Sequence, residues 1–334
     1  VLRILPRIAD DINEEWIGDK SRFIWDGLKK RRLDTPYVRK EGKLQPVSWA
    51  EAFEAIREKV SGTAPEKIAA IVGDLVPAEA VKALKDLTEK LGVVNRDCRQ
   101  DGSMLGVLPN GEKAPRGSYV FGSTIAGIDR ADAILLVGTN PRIEAPVLNA
   151  RIRKNFLDRM DLEIGLIGQA EDLTYDYHHI GDDVSAIGAL KDSVKDALKK
   201  AERPMIIVGQ GALRDGGRTL DAVLKLAGEV GALNEDWNGL NILHTAASRV
   251  GALDLGFLPG EGGKAFSDIL AGAENGDIDV VYNLGADEID AERMKNAFMI
   301  YQGHHGDAGA RVADIILPAA AYTEESGIYV NTEG

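Results

Sequence analysis

The chain has 334 residues, 44% of them apolar, enough for two compact domains with sizeable cores. Its 53 Asp and Glu against 40 Lys and Arg leave a formal charge of -13, so the mean field repels a nucleic-acid backbone, and no long basic tract offsets it. The single cysteine, Cys98, excludes an internal disulfide framework and any all-cysteine zinc or iron–sulfur site, and fits a reducing compartment.

No apolar run approaches the roughly eighteen residues of a membrane-crossing helix, and the opening "VLRILPRIADDINEEW" turns acidic too early for a signal peptide. Direct membrane contact is therefore not expected. Residues 1–45 carry paired charges and the anchors Trp16, Phe23 and Trp25 without a clear period, which reads as an arm laid on another surface. Asp10, Asp11, Glu14, Glu15 and Asp19 read as a solvated or partner-facing helix face rather than as paired catalytic acids. Ser48 with Glu51 forms a capping box, and Trp49, Ala52, Phe53, Ile56 and Val60 then make an apolar stripe that should dock on a sheet.

"IAAIVGD" (68–74) is the first of seven continuous apolar runs that read as strands covered on both faces. A helix starting near Pro77 carries Val81, Leu84, Leu87 and Leu91 and stops at Gly92. Residues 92–125 read as a long loop. Cys98 lies in it between Arg96 and Arg99, which would favour thiolate, although no histidine is near in sequence. The remaining strand runs are 133–139, 163–169, 204–211, 279–287, 298–307 and 313–318, with helices expected over 185–200 and 218–230. This alternation specifies an α/β fold with doubly wound, mostly parallel sheets.

Gly138-Thr139-Asn140-Pro141 could present backbone amides to a diphosphate, because Pro141 forces Asn140 out of helical geometry. Any strand of such a sheet ends in a similar turn, and the fuller Gly-x-Gly-x-x-Gly spacing is absent. The doublets His178-His179 and His304-His305 are poor chelators, since neighbouring side chains diverge. Asp307 could instead orient an imidazole of "GHHGD".

Three segments, "NEEWIGDKSRFIWDGLKKRRLDTPYVR", "ADAILLVGTNPRIEAPVLNARIRK" and "YQGHHGDAGARVADIILPAAAYTEESGIYVNTEG", resemble the large iron–sulfur subunit of respiratory complex I, the NADH:quinone oxidoreductase. The likeness continues through "DLTYDYHHIGDD" and "NILHTAASRVGALDLG", and so covers the whole chain. More distantly the chain is similar to molybdopterin oxidoreductases such as formate dehydrogenase, nitrate reductase and DMSO reductase. That resemblance implies two Rossmann-like units: 46–125 with 200–334, interrupted by an inserted unit at 126–199, with 1–45 as the tail of an iron–sulfur-binding domain.

In active members of that family, the resemblance implies, a turn like Gly138 to Pro141 lies against one pterin dinucleotide and the next strand end reads its guanine. Here that strand ends in Gly168-Gln169-Ala170-Glu171, with the matching acceptor displaced or missing. The counterpart of a second nucleotide turn is Leu284-Gly285-Ala286-Asp287, with a carboxylate where phosphates would come. Cys98 stands near the position of the metal-ligating cysteine or selenocysteine. The expectation is a vestigial cleft of Gly138, Thr139, Asn140, Pro141, Cys98 and Gly285, with no catalytic residue, metal or cofactor in this chain. The iron–sulfur ligands of the parent subunit would precede Val1, making this a fragment. The implied role is scaffold in the peripheral arm of complex I, beside the flavin-bearing subunit and the quinone-side iron–sulfur subunits. Its location would be the cytoplasmic side of a bacterial inner membrane or the matrix side of the mitochondrial one. The rival reading is a formate dehydrogenase-like molybdopterin oxidoreductase that keeps its cofactor; a free nucleotide-binding module is a third.

Overall fold

The apolar runs fold as the alternation requires. A computed structural model of the chain describes residues 2–108, 111–190, 192–215 and 217–334. Its strands, among those residues, begin with β1 (Tyr37–Lys40), β2 (Lys43–Pro46), β3 (Ile68–Val72), β4 (Asn95–Asp97), β5 (Ala133–Val137) and β6 (Glu163–Ile167). They continue with β7 (His178–Gly181), β8 (Pro204–Gly209), β9 (Leu240–Leu243), β10 (Val280–Leu284), β11 (Phe298–Gly303) and β12 (Ile315–Pro318). Every one of the seven expected runs contains one of these strands, and β3, β5 and β8 are buried at every residue.

Two sheets result. One has seven strands in the order β2-β1-β12-β11-β10-β3-β4, parallel except for the β1–β2 hairpin and its antiparallel join to β12. The other has five parallel strands in the order β7-β6-β5-β8-β9. Each sheet has a point where the chain reverses its direction of travel, between β3 and β10 in the first and between β5 and β8 in the second. Open α/β sheets form ligand crevices at such points.

The division into units differs from the boundaries drawn on the sequence. β8 pairs with β5 and β9 pairs with β8, so residues expected with the larger unit join the five-stranded sheet. One unit comprises 1–25, 103–245 and 332–334, instead of 126–199, and the other 26–102 and 246–331. An unbroken strand–helix alternation carries no mark of which sheet a strand will join. The arm at 1–45 divides too, because Tyr37 to Pro46 form the hairpin that extends the seven-stranded sheet.

The segment 10–14 lies on the helix Pro146–Asp158 of its own unit. Buried Arg151 binds the Asp129 carboxylate at 2.6 Å and the Asp10 carbonyl at 2.5 Å, while Lys154 pairs with Glu14 at 2.9 Å. Hydrogen bonding from Lys154 holds the Glu14 carboxyl below its ordinary range. Residues 10–14 are thus a turn rather than a charged helix face, with Glu14 directed at the helix, whereas Asp19 begins the short helix Asp19–Phe23 and is solvated.

The capping box at Ser48 and Glu51 is formed, but the helix it starts buries Ala52 and leaves Trp49 and Phe53 exposed, their rings 5.5 Å apart. Its inward side centres on Ala52 and Ile56, so the aromatic pair falls on the rim. Leu87 on the helix Ala78–Lys90, and Leu91 at its C-cap, are exposed in the same way. The helix expected over 185–200 is a tight turn, Val184–Ala189, followed by the helix Asp192–Lys200; Lys191 lies outside the described residues. The long loop expected at 92–125 includes β4, and its residues 109 and 110 are outside the description.

At the β3/β10 reversal the backbones touch. The Gly73 amide donates to the Leu284 carbonyl at 2.8 Å, and a Cβ on Gly73 would lie 2.0 Å from the Gly285 carbonyl oxygen. Gly73→Ala must push two strand ends apart, and we expect a loss of roughly 2–3 kcal/mol. Urea denaturation of the variant checks this; an unchanged midpoint would show that the contact is not needed.

Candidate functional site

A cleft of about 540 Å³ opens at the carboxyl ends of β5, β6 and β8, where a doubly wound sheet places ligands. Gly138, Thr139 and Asn140 form one wall, and Gln169, Glu171, Asp182, Asp183, Arg214 and Asp215 stand around it. Four carboxylates against one guanidinium make this an unfavourable place for a phosphate.

The turn itself is occupied from within. Gly138 has φ +56°, in the left-handed region that favours glycine, and a Cβ there would lie 2.5 Å from that of Ala212, so the strand end has no room for a side chain. Its amide donates to the Ile167 carbonyl at 2.7 Å. The next free donors go to one carboxylate: Asn140 N–H donates to Glu144 Oε1 at 2.8 Å and the Thr139 hydroxyl to Glu144 Oε2 at 3.0 Å. Glu144 ends the single-turn helix Pro141–Glu144 that Pro141 initiates, which brings its side chain back over the turn. The Asn140 side-chain oxygen is buried without a hydrogen-bond partner. At the neighbouring strand end, Asp172 pairs with Arg142 at 2.7 Å and accepts from the Thr174 amide; these contacts, the backbone one foremost, lower its carboxyl pKa.

The second turn lies in the seven-stranded unit, at Gly285 after β10. Asn283 closes it by donating to the Ala286 carbonyl at 2.8 Å and accepting from the Ala286 amide at 2.9 Å. Asp287 accepts from the Gly309 amide at 2.6 Å and from the Tyr301 hydroxyl, and burial raises its pKa. As at Gly138, a carboxylate of the chain takes up a backbone amide beside the turn.

Cys98 sits in the same unit inside a buried ionic cluster. Asp97 binds Arg99 through both oxygens at 2.8 Å, and Arg249 binds Asp74 at 2.7 Å and Asp101 at 2.9 Å. Asp97 and Arg249 are 1% and 2% exposed, so neither charge could stand there without its partner. The expectation that Arg96 and Arg99 favour thiolate fails: Arg99 is matched by Asp97, and burial, then the Asp97 charge, pushes the thiol up to about 12. Metal ligation through sulfur needs the thiolate.

The histidine doublets serve local contacts. His178 pairs with Glu163 at 2.8 Å and His179 contacts the Gly168 carbonyl at 2.9 Å. Asp307 pairs with Arg31 at 3.7 Å rather than orienting a histidine. Sequence reasoning missed Glu144 and Arg249. Glu144 was findable, since a carboxylate four residues after Asn140 at the start of a helix can fold back on its amide. Arg249 is brought to Asp74 and Asp101 by tertiary structure alone.

Comparison with known proteins shows the family. A family model described as molybdopterin oxidoreductase matches residues 32–334, and one described as NADH-ubiquinone oxidoreductase NDSU1/NuoG-like, 4Fe-4S domain, matches residues 1–26. The chain belongs to the molybdopterin oxidoreductase family. It is similar to the G subunit of the NADH-quinone oxidoreductase of Rickettsia felis, at 45% identity over 339 residues, covering 100% of this chain and 48% of that protein. It is also similar to the mitochondrial NADH-ubiquinone oxidoreductase 78 kDa subunit of Candida albicans, at 47% identity over 347 residues, covering 100% of this chain and 45% of that protein. The chain thus spans about half the length of these curated relatives. Among solved structures, acetylene hydratase from Pelobacter acetylenicus shares the fold, with a TM-score of 0.56 at 13% identity over 98% of this chain and 60% of that one.

The state of Cys98 is directly measurable. With its pKa near 12 against an ordinary 9.0, the folded chain keeps the proton where an unfolded one loses it, so this group subtracts stability as pH rises from about 9 to about 12. Near pH 8 we expect Ellman's reagent to label the folded chain about a hundredfold more slowly than the guanidinium-unfolded chain. Equal rates would place the thiol in a reactive setting.

Proposed function

We propose that this chain is the molybdopterin oxidoreductase-like scaffold of the large iron–sulfur subunit of an NADH:quinone oxidoreductase, with no active site of its own. The observation that carries the reading is the Glu144 carboxylate on the Asn140 amide and Thr139 hydroxyl, at the turn where a dinucleotide phosphate would otherwise be received. A molybdopterin dinucleotide does not fit these residues. The phosphates of one dinucleotide would meet Glu144 and the acidic cleft at the Gly138 turn, and those of another would meet Asp287 beside the Gly285 turn. The formate dehydrogenase-like alternative has no observation of equal weight behind it.

Similarity to the Rickettsia and Candida proteins over the whole chain, and the 4Fe-4S match at 1–26, support a place beside iron–sulfur clusters held elsewhere in the parent subunit. In that setting the two sheets, each with its own core, give rigid support in the peripheral arm while electrons pass from NADH and flavin toward quinone. The partners are then the flavin-bearing and quinone-side iron–sulfur subunits. Attachment to the cytoplasmic or matrix face of the membrane would come through the complex. No helix among the described residues is long and apolar enough to cross a membrane.

Metal analysis of the purified complex, with pterin fluorescence after denaturation, tests the proposal. We expect iron without molybdenum or tungsten, and no pterin emission. Either metal, or pterin, in stoichiometric amount with this protein would overturn it.

A further inference from the structure

Residues 304–307 leave the end of β11 and meet the segment 26–33, and two imidazoles face each other at the junction. His304 and His305 touch through their Nδ1 atoms, with ring centroids 4.6 Å apart and planes at 88°. His305 Nε2 lies 2.9 Å from the Gly27 carbonyl, which can only accept, so Nε2 is the protonated nitrogen. Around this pair the backbones are stitched together. Leu33 N–H and Arg32 Nε–H donate to the His304 carbonyl at 3.0 and 3.1 Å, and Gly306 N–H donates to the Arg31 carbonyl at 2.8 Å.

The proton count at the facing nitrogens is restricted. In the neutral pair, His304 Nδ1–H donates to the bare Nδ1 of His305. One added proton is tolerated, because a single N–H can still lie between the two Nδ1 atoms. A second added proton leaves both Nδ1 atoms as donors, and the contact cannot persist. The charged groups around the pair are Arg32, itself bound to Glu324, Arg31 with its partner Asp307, Asp287 across the loop after β10, and Glu325. Asp287 and Glu325 favour a proton on His304, whereas Arg32 and a charged His305 oppose it.

We propose that the His304–His305 pair is a proton-operated latch that holds the segment 26–33 on the loop after β11 and opens when the pair takes its second proton. Burial, His305 and Arg32 hold the His304 pKa below its ordinary 6.5. The open loop therefore takes up protons more readily than the closed one, so closure weakens as pH falls below that value and gives way when the second proton arrives.

Hydrogen exchange on the intact chain, corrected for intrinsic rates, tests the latch between pH 7.5 and pH 5. The Leu33 and Gly306 amides should lose protection by about tenfold or more on acidification, while those of β10 keep theirs. His305→Gln retains a donor for the Gly27 carbonyl and does not titrate, so its Leu33 and Gly306 protection should not change with pH. Imidazole nitrogen shifts of the unmodified chain give an independent readout, in which opening coincides with the second protonation. The proposal is overturned if protection is unchanged in the unmodified chain, if the variant responds to acid as the unmodified chain does, or if opening accompanies the first proton.

Discussion

A carboxylate and a phosphate compete for the same backbone amide, and at the Gly138 turn the carboxylate is part of the chain. Glu144 reaches the Asn140 amide from four residues away, so its binding costs none of the translational freedom that a dissociable ligand must surrender. A phosphate arriving there would have to displace a tethered anion and then remain beside Glu171, Asp182, Asp183 and Asp215. Asp287 on the Gly309 amide repeats the logic in the other unit. At the five-stranded sheet the cleft of the fold class is thus kept, while a carboxylate of the chain takes up donors of its turn.

The surroundings reinforce this. Gly73 and Gly285 bring two strand ends into backbone contact at the β3/β10 reversal, leaving no room for a side chain at Gly73. Near Cys98, the pairs Asp97–Arg99 and Asp74–Arg249–Asp101 are buried, and removing one partner of such a pair costs about 3–5 kcal/mol, a large share of a domain's total stability. A network with that penalty is a structural element. It also sets the chemistry of the cysteine, because burial and the Asp97 charge together outweigh the two nearby guanidinium groups.

Much of the fold was legible in the sequence because burial on both faces of a parallel sheet demands continuous apolar runs, and each of the seven runs became a strand. The short strands β1, β2, β4, β7 and β9 were missed; β7, for instance, is the largely exposed His178 to Gly181 at a sheet edge, without any apolar run. Sheet membership was harder still, since the hydrogen bonds between β5 and β8 join residues about seventy positions apart and local pattern is blind to them. The same holds for the site. The glycine turns could be located by sequence, and Asp287 was recognised as misplaced for a phosphate. The inward charge balance at Cys98 depends on Arg249, which only the tertiary fold supplies.

The central claim, that chain-borne carboxylates have replaced a nucleotide's phosphates, is tested most directly by titrating the chain with GDP in a calorimeter. No saturable heat is expected at concentrations up to about 1 mM, equivalent to an affinity weaker than about -4 kcal/mol. Stoichiometric binding in the micromolar range would contradict the claim.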